Sequence, residues 1–87
     1  MLFHITYSLS TQNRDAAQSR FKATGGLPPE GATMLGRWHC AQGLKGFIVA
    51  EASDAEAIAM WIQQWSDLLS FEITPVVDDD QISRVIG

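Results

Sequence analysis

The sequence predicts a single α+β domain in the order β-α-β-β-α-β, with a short helix at its end. Three observations carry this prediction. Residues 2–9, 32–40 and 68–77 alternate side-chain character with a period of two, as half-buried strands do. Ile58, Trp61, Ile62 and Trp65 recur at i, i+3, i+4 and i+7, the stripe of a helix seated on a core. Glycine and proline clusters at 25–31 and 41–43 fall between the periodic stretches and break the chain there.

The first strand, Leu2 to Leu9, sets Phe3, Ile5, Tyr7 and Leu9 against His4, Thr6 and Ser8. Ser10 or Thr11 is placed to cap a helix running to about Ala23, whose stripe of Ala16, Ala17, Arg20, Phe21 and Ala23 is only shallowly apolar. Gly25-Gly26 stops it, because glycine accepts the left-handed geometry past a helix end. Leu27-Pro28-Pro29-Glu30-Gly31 forms a stiff connector. In the second strand, Ala32 to Cys40, strict alternation sends Met34, Gly36, Trp38 and Cys40 one way and Leu35, Arg37 and His39 the other. Ala41-Gln42-Gly43 is a hairpin loop.

Phe47 to Ala52 reads as a strand covered on both faces. Ser53 follows as N-cap, with Glu56 three residues on completing a capping box. That helix carries the Trp61 and Trp65 stripe and ends at Ser66-Asp67. In the fourth strand, Leu68 to Val77, Pro75 lacks an N–H and so predicts an edge position. Asp78 with Gln81 repeats the capping signal ahead of Ile82, Val85 and Ile86, a helix too short to stand undocked.

This order is the split βαβ, or ferredoxin-like, pattern. Right-handed crossovers place strands one and three at the centre of a four-stranded antiparallel sheet. Two helices cover one face. The other face is bare, and a second copy of the chain is the expected cover, giving a homodimer with a cavity between the sheets.

The chain has 87 residues, 46% of them hydrophobic, so one folded domain is expected rather than disorder. A chain of this size buries only about 60–65% of its unfolded surface, which favours oligomerisation. Net charge is −4 and the six Lys and Arg are scattered, against binding nucleic acid through phosphates. Cys40 is the one cysteine, so an internal disulfide and a cysteine-based zinc site are both excluded. The opening residues lack the pattern of a signal peptide, and no apolar run reaches membrane-spanning length. A cytoplasmic protein of bacterial type is expected, with no metal, no cofactor and no membrane or nucleic-acid partner.

Candidate site residues fall in three groups. His4, Thr6 and Glu72 point by alternation to the bare face, where they either transfer protons or hydrogen-bond within a dimer interface. Gly36-Arg37-Trp38-His39 is the most unusual cluster: Arg37 and His39 share a face and suit an anionic ligand, while Trp38 on the other face walls a pocket or fills the dimer core. Glu51 ends a strand beside a helix start, either as an ion-pair partner for Arg37 or Arg20 or as a general base. Cys40 and His39 point to opposite faces and form no dyad, and the same reasoning separates His4 from His39. The Asp78-Asp79-Asp80 run belongs to a helix N-terminus rather than to a calcium loop.

Several stretches together resemble a known family. They are Thr6-Tyr7, Arg20-Phe21, Thr24-Gly25-Gly26, Pro28-Pro29-Glu30-Gly31, Gly36-Arg37-Trp38-His39, Gly46-Phe47, Glu51-Ala52, Trp65-Ser66-Asp67-Leu68, Glu72, Pro75-Val76 and Asp78. The family is the bacterial domain-of-unknown-function family numbered thirty-three oh three. It is similar to the dimeric α+β barrel superfamily, which includes antibiotic-biosynthesis-type monooxygenases, muconolactone isomerases and YCII-like domains. The resemblance implies the ferredoxin-like fold and the dimer. It implies no catalytic residues. The expected function is small-molecule binding in the cavity between sheets. The alternative is a cofactor-independent monooxygenase- or isomerase-like enzyme using His4 or His39 with Glu51 or Glu72.

Overall fold

A computed structural model describes all 87 residues. Strands β1 (Leu2–Ser8), β2 (Ala32–His39), β3 (Lys45–Ala52) and β4 (Ser70–Val76) form one sheet in the order β2-β3-β1-β4, every neighbouring pair antiparallel. Helices α1 (Arg14–Thr24) and α2 (Ala55–Gln63) lie on one face, and α3 (Asp79–Ile86) follows β4. The central pair is β1 and β3, as the crossover rule requires. Pro75 lies on the edge strand opposite Phe3, where its missing N–H breaks no inner ladder.

The core forms where the strand alternation meets the helix stripe. Phe3 and Ile5 from β1 and Ile48, Ala50 and Ala52 from β3 pack against Ala57, Ile58 and Trp61 of α2. Fully burying a side chain such as Phe3, Ile5 or Ile58 contributes about 1.5–3 kcal/mol. Trp65 is also buried, although α2 stops at Gln63. Its N–H donates to the Ile62 carbonyl at 2.9 Å, so a tight turn carries the stripe two residues beyond the regular helix.

Four local expectations are corrected. The N-cap of α2 is Asp54, not Ser53: the Asp54 carboxylate accepts the Ala57 N–H at 3.2 Å. Ala52 ends β3 as expected, its N–H donating to the Met1 carbonyl, and Ser53 stands between the strand and the cap. At the start of α1, a single 3-10 turn over Thr11–Asn13 stands before the helix, and neither Ser10 nor Asn13 caps with its side chain. Asn13 donates instead to the Leu68 carbonyl at 3.1 Å, tying this end to the turn before β4.

The third correction concerns β2. Met34 pairs with Ala50 and Gly36 with Val49, so Leu35 is an extra residue in a bulge. The bulge resets the alternation. Met34 packs on the core, Leu35 is exposed, and Arg37, opposite Ile48, faces the helices again. Met34 therefore does not share a face with Trp38. The fourth correction concerns β3, which is one-sided in the single chain: Phe47, Val49 and Glu51 face away from the helices and are partly or fully exposed. That open face carries Trp38 stacked on Phe47, ring centroids 5.2 Å apart.

The capping box of α3 forms as expected: Gln81 N–H donates to Asp78 Oδ1 at 2.8 Å and Asp78 N–H to Gln81 Oε1 at 2.9 Å. Its apolar residues do not dock within the chain. Val85 and Ile86 are 75% and 78% exposed. No helix is long and apolar enough to cross a membrane.

Candidate functional site

A cavity of about 400 Å³ lies between α1, the turn after α2 and the helix-side face of the sheet. Its floor and walls are mainly apolar, formed by Trp61, Trp65, Leu69 and Phe71 with Phe21 of α1. Three polar side chains converge on it from the sheet: Tyr7, Arg37 and His39. A size near the lower end of ligand sites, an apolar wall and a few directed polar groups are the usual features of a small-molecule pocket.

The sequence builds this cluster by pairing residues across strands. Tyr7 lies opposite Gly46, and a side chain at Gly46 would overlap the Tyr7 ring, so the glycine lets the ring lie across β3. Gly46 also pairs with His39, which brings β2 to the same place. A short hydrogen bond of 2.5 Å joins Tyr7 Oη and His39 Nδ1. Phe21 meets the His39 ring edge-on at 5.6 Å and lies 4.8 Å beneath the Arg37 guanidinium. Arg37 donates from Nη1 to the Gly26 carbonyl at 2.8 Å and from Nη2 to the Gly25 carbonyl at 2.9 Å. These carbonyls stand at the negative end of α1, whose last turn closes through the left-handed Gly25. A Cβ at Gly26 would come within 2.9 Å of Arg37 Nη1, so the close approach needs glycine there too.

Charge shifts follow from this packing. Partial desolvation, and then the nearby Arg37 charge, lower the His39 pKa below the usual histidine value, which favours the neutral imidazole at pH 7. Burial pushes the Tyr7 phenol up, which keeps its proton on. The two groups thus meet as a neutral hydrogen-bonded pair.

A second contact fixes the wall. Arg20 on α1 makes a two-pronged ion pair with Asp67, both bonds at 2.8 Å, and donates to the Gln64 carbonyl at 2.9 Å. Its guanidinium sits 5.4 Å over the Trp65 ring. The Arg20 hydrogen bond holds the Asp67 carboxyl below the usual carboxylate range.

Of the seven residues singled out from sequence, two reach the cavity. Arg37 and His39 share it, on the helix side. His4, Thr6, Trp38, Glu51 and Glu72 belong to the opposite, open face. There Thr6 pairs with Phe47 and Glu72, His4 pairs with Val49 and Thr74, and the His4 ring lies 5.7 Å from the Phe47 ring. Glu51 makes no ion pair with Arg37 or Arg20; the chain's ion pairs are Arg14–Asp15 and Arg20–Asp67. The expected pairing fails because Glu51 points away from the helices while both arginines work on their side. No hydrogen bond links His4 to Glu72, and no three His, Cys, Asp or Glu side chains converge.

Sequence reasoning missed Tyr7, Phe21, Gly26 and Asp67 as parts of a site. The available signal was Gly46 in a strand opposite Tyr7, a glycine where a ring needs room.

The chain belongs to the family of domains of unknown function DUF3303, whose model matches residues 1–87. No match was found among curated proteins. Among solved structures the chain is similar to Rv0793 from Mycobacterium tuberculosis, at 13% identity and a TM-score of 0.54, over 90% of this chain and 96% of that one. It is also similar to a candidate antibiotic biosynthesis monooxygenase from Deinococcus radiodurans, at 13% identity and a TM-score of 0.48, over 88% and 92%. At such identity the likeness to Rv0793 speaks for the fold alone, which is ferredoxin-like α+β.

Proposed function

We propose that this protein is a small-molecule-binding homodimer whose ligand enters the helix–sheet cavity of each subunit rather than a space between the sheets. The observation that carries this reading is the convergence of Tyr7, Arg37 and His39 on an otherwise apolar cavity of about 400 Å³. Dimerisation rests on the open sheet face, where Trp38 is 53% and Phe47 39% exposed, an apolar patch that a second copy would cover. A cytoplasmic setting fits a chain whose lone cysteine, Cys40, is exposed and free. Native mass spectrometry of the purified protein is the test: a dimer carrying one added small mass per subunit is expected. A ligand-free monomer at micromolar concentration contradicts both halves of the reading.

A second reading, a cofactor-independent oxygenase or isomerase, is favoured by one feature: His39 is a neutral imidazole in the cavity, hydrogen-bonded to Tyr7 and ready to accept a proton. Neither Glu51 nor Glu72 shares the cavity with His39; His4 and Glu72 do line one open depression on the other sheet face, with no hydrogen bond between them. An enzyme of this type would lose turnover in His39→Gln while keeping its ligand affinity within about threefold. Equal loss of both would assign His39 to binding alone.

A further inference from the structure

We infer that the occupant of the cavity is an organic anion with a flat apolar body, its charge set against Arg37. This rests on the cavity being a binding site and goes on to name the class of ligand. Arg37 is half-buried and remains a cation, because a guanidinium does not lose its proton under physiological conditions. Burying a charge is costly unless it is paired. The sequence is rich in acids, with ten Asp and Glu against six Lys and Arg, yet no carboxylate of the chain pairs with Arg37. Two of its five N–H groups are bonded, to the Gly25 and Gly26 carbonyls. These hold the group rigid and supply only partial negative charge. Three N–H groups and the full positive charge are left without an anion.

The other groups around the cavity point the same way. Lys22 adds a second cation at its edge. His39 is neutral, and Tyr7 keeps its proton. No acidic side chain lines the cavity. A cationic ligand would therefore meet repulsion from Arg37 with no carboxylate to offset it, and a neutral one would leave Arg37 without a counter-charge. The remaining wall of Phe21, Trp61, Trp65 and Phe71 selects a planar apolar body. A volume of about 400 Å³ holds one or two fused rings with a small acidic group.

The test is calorimetric titration of the full-length protein with three probes of one shape: 2-naphthoate, 2-naphthalenemethanol and 2-naphthylmethylammonium. The carboxylate is expected to bind at least about tenfold tighter than the alcohol, and the ammonium not detectably. In Arg37→Met the carboxylate should lose its advantage over the alcohol, the ratio of their affinities falling to about one. The wild-type comparison stands alone if that variant fails to fold. If the alcohol equals or exceeds the carboxylate in the wild type, the anionic ligand class is wrong and the cavity remains a binding site. If none of the three binds, the binding-site reading itself falls.

Discussion

Gly46 and Tyr7 show how the site is made from single residues. The Tyr7 ring lies where a Cβ on Gly46 would be, and from there its hydroxyl reaches His39. Gly46→Ala should force the ring aside, cost about 1–3 kcal/mol by overpacking and break the Tyr7–His39 bond. Thermal unfolding and the His39 ring resonances would record both changes. The pH response follows from the sign of the His39 shift. Its folded-state pKa lies below the unfolded value, so the folded state binds fewer protons, and stability rises with pH across the gap between the two values. This contribution is present above about pH 6.5, the ordinary histidine value, and is lost as pH falls through the lower folded value. His39→Gln should flatten the dependence of thermal stability in that acidic window relative to wild type. Alternation alone placed Arg37 and His39 on one face, and the structure agrees. What alternation hid was Tyr7 as their partner, because a tyrosine in line with Phe3 and Ile5 reads as core.

Among the elements, β2 explains why only part of the site was legible. A bulge at Leu35 leaves no mark in a pattern of apolar and polar residues, since Met34, Leu35 and Trp38 are all apolar. A one-residue insertion exchanges the faces of everything beyond it. The strand's position and the edge placement of Pro75 were readable, but which side of the sheet Arg37 faced was not. The helix stripe was the most legible feature, because Ile58, Trp61 and Trp65 are buried as their spacing requires. Trp61→Ala should cost about 3–5 kcal/mol, as large core truncations do, and should enlarge the cavity as well. Helix α3 was legible for a local reason, the Asp78–Gln81 box, while its docking partner was not, since Val85 and Ile86 stay largely exposed in the chain. Asp78→Ala should weaken α3 by about 1 kcal/mol, seen as faster amide exchange across residues 79–86 with the core amides unchanged.

At the scale of the whole molecule, the sheet divides the chain into two chemistries. The helix side holds a cationic cavity in a protein of net charge −4, and the open side holds an apolar stack flanked by His4, Thr6, Glu51 and Glu72. The first reads as a place for a small anion and the second as a place for another copy of the chain. Trp38→Lys should therefore produce a folded monomer that still binds 2-naphthoate, measured by sedimentation velocity and calorimetry. Loss of binding together with the dimer would instead locate the ligand between the sheets. The fold was legible because each element announces its own boundaries and faces. The site was less so, because it depends on joining the hairpin pair His39–Gly46 to the long-range pair Tyr7–Gly46, which brings together residues from three strands. The most direct measurement is amide chemical-shift mapping of the ¹⁵N-labelled protein during titration with 2-naphthoate. Shifts concentrated at Tyr7, Phe21, Gly26, Arg37 and His39 are the predicted result. Shifts concentrated at His4, Trp38, Phe47 and Glu72 would contradict the placement of the site on the helix side.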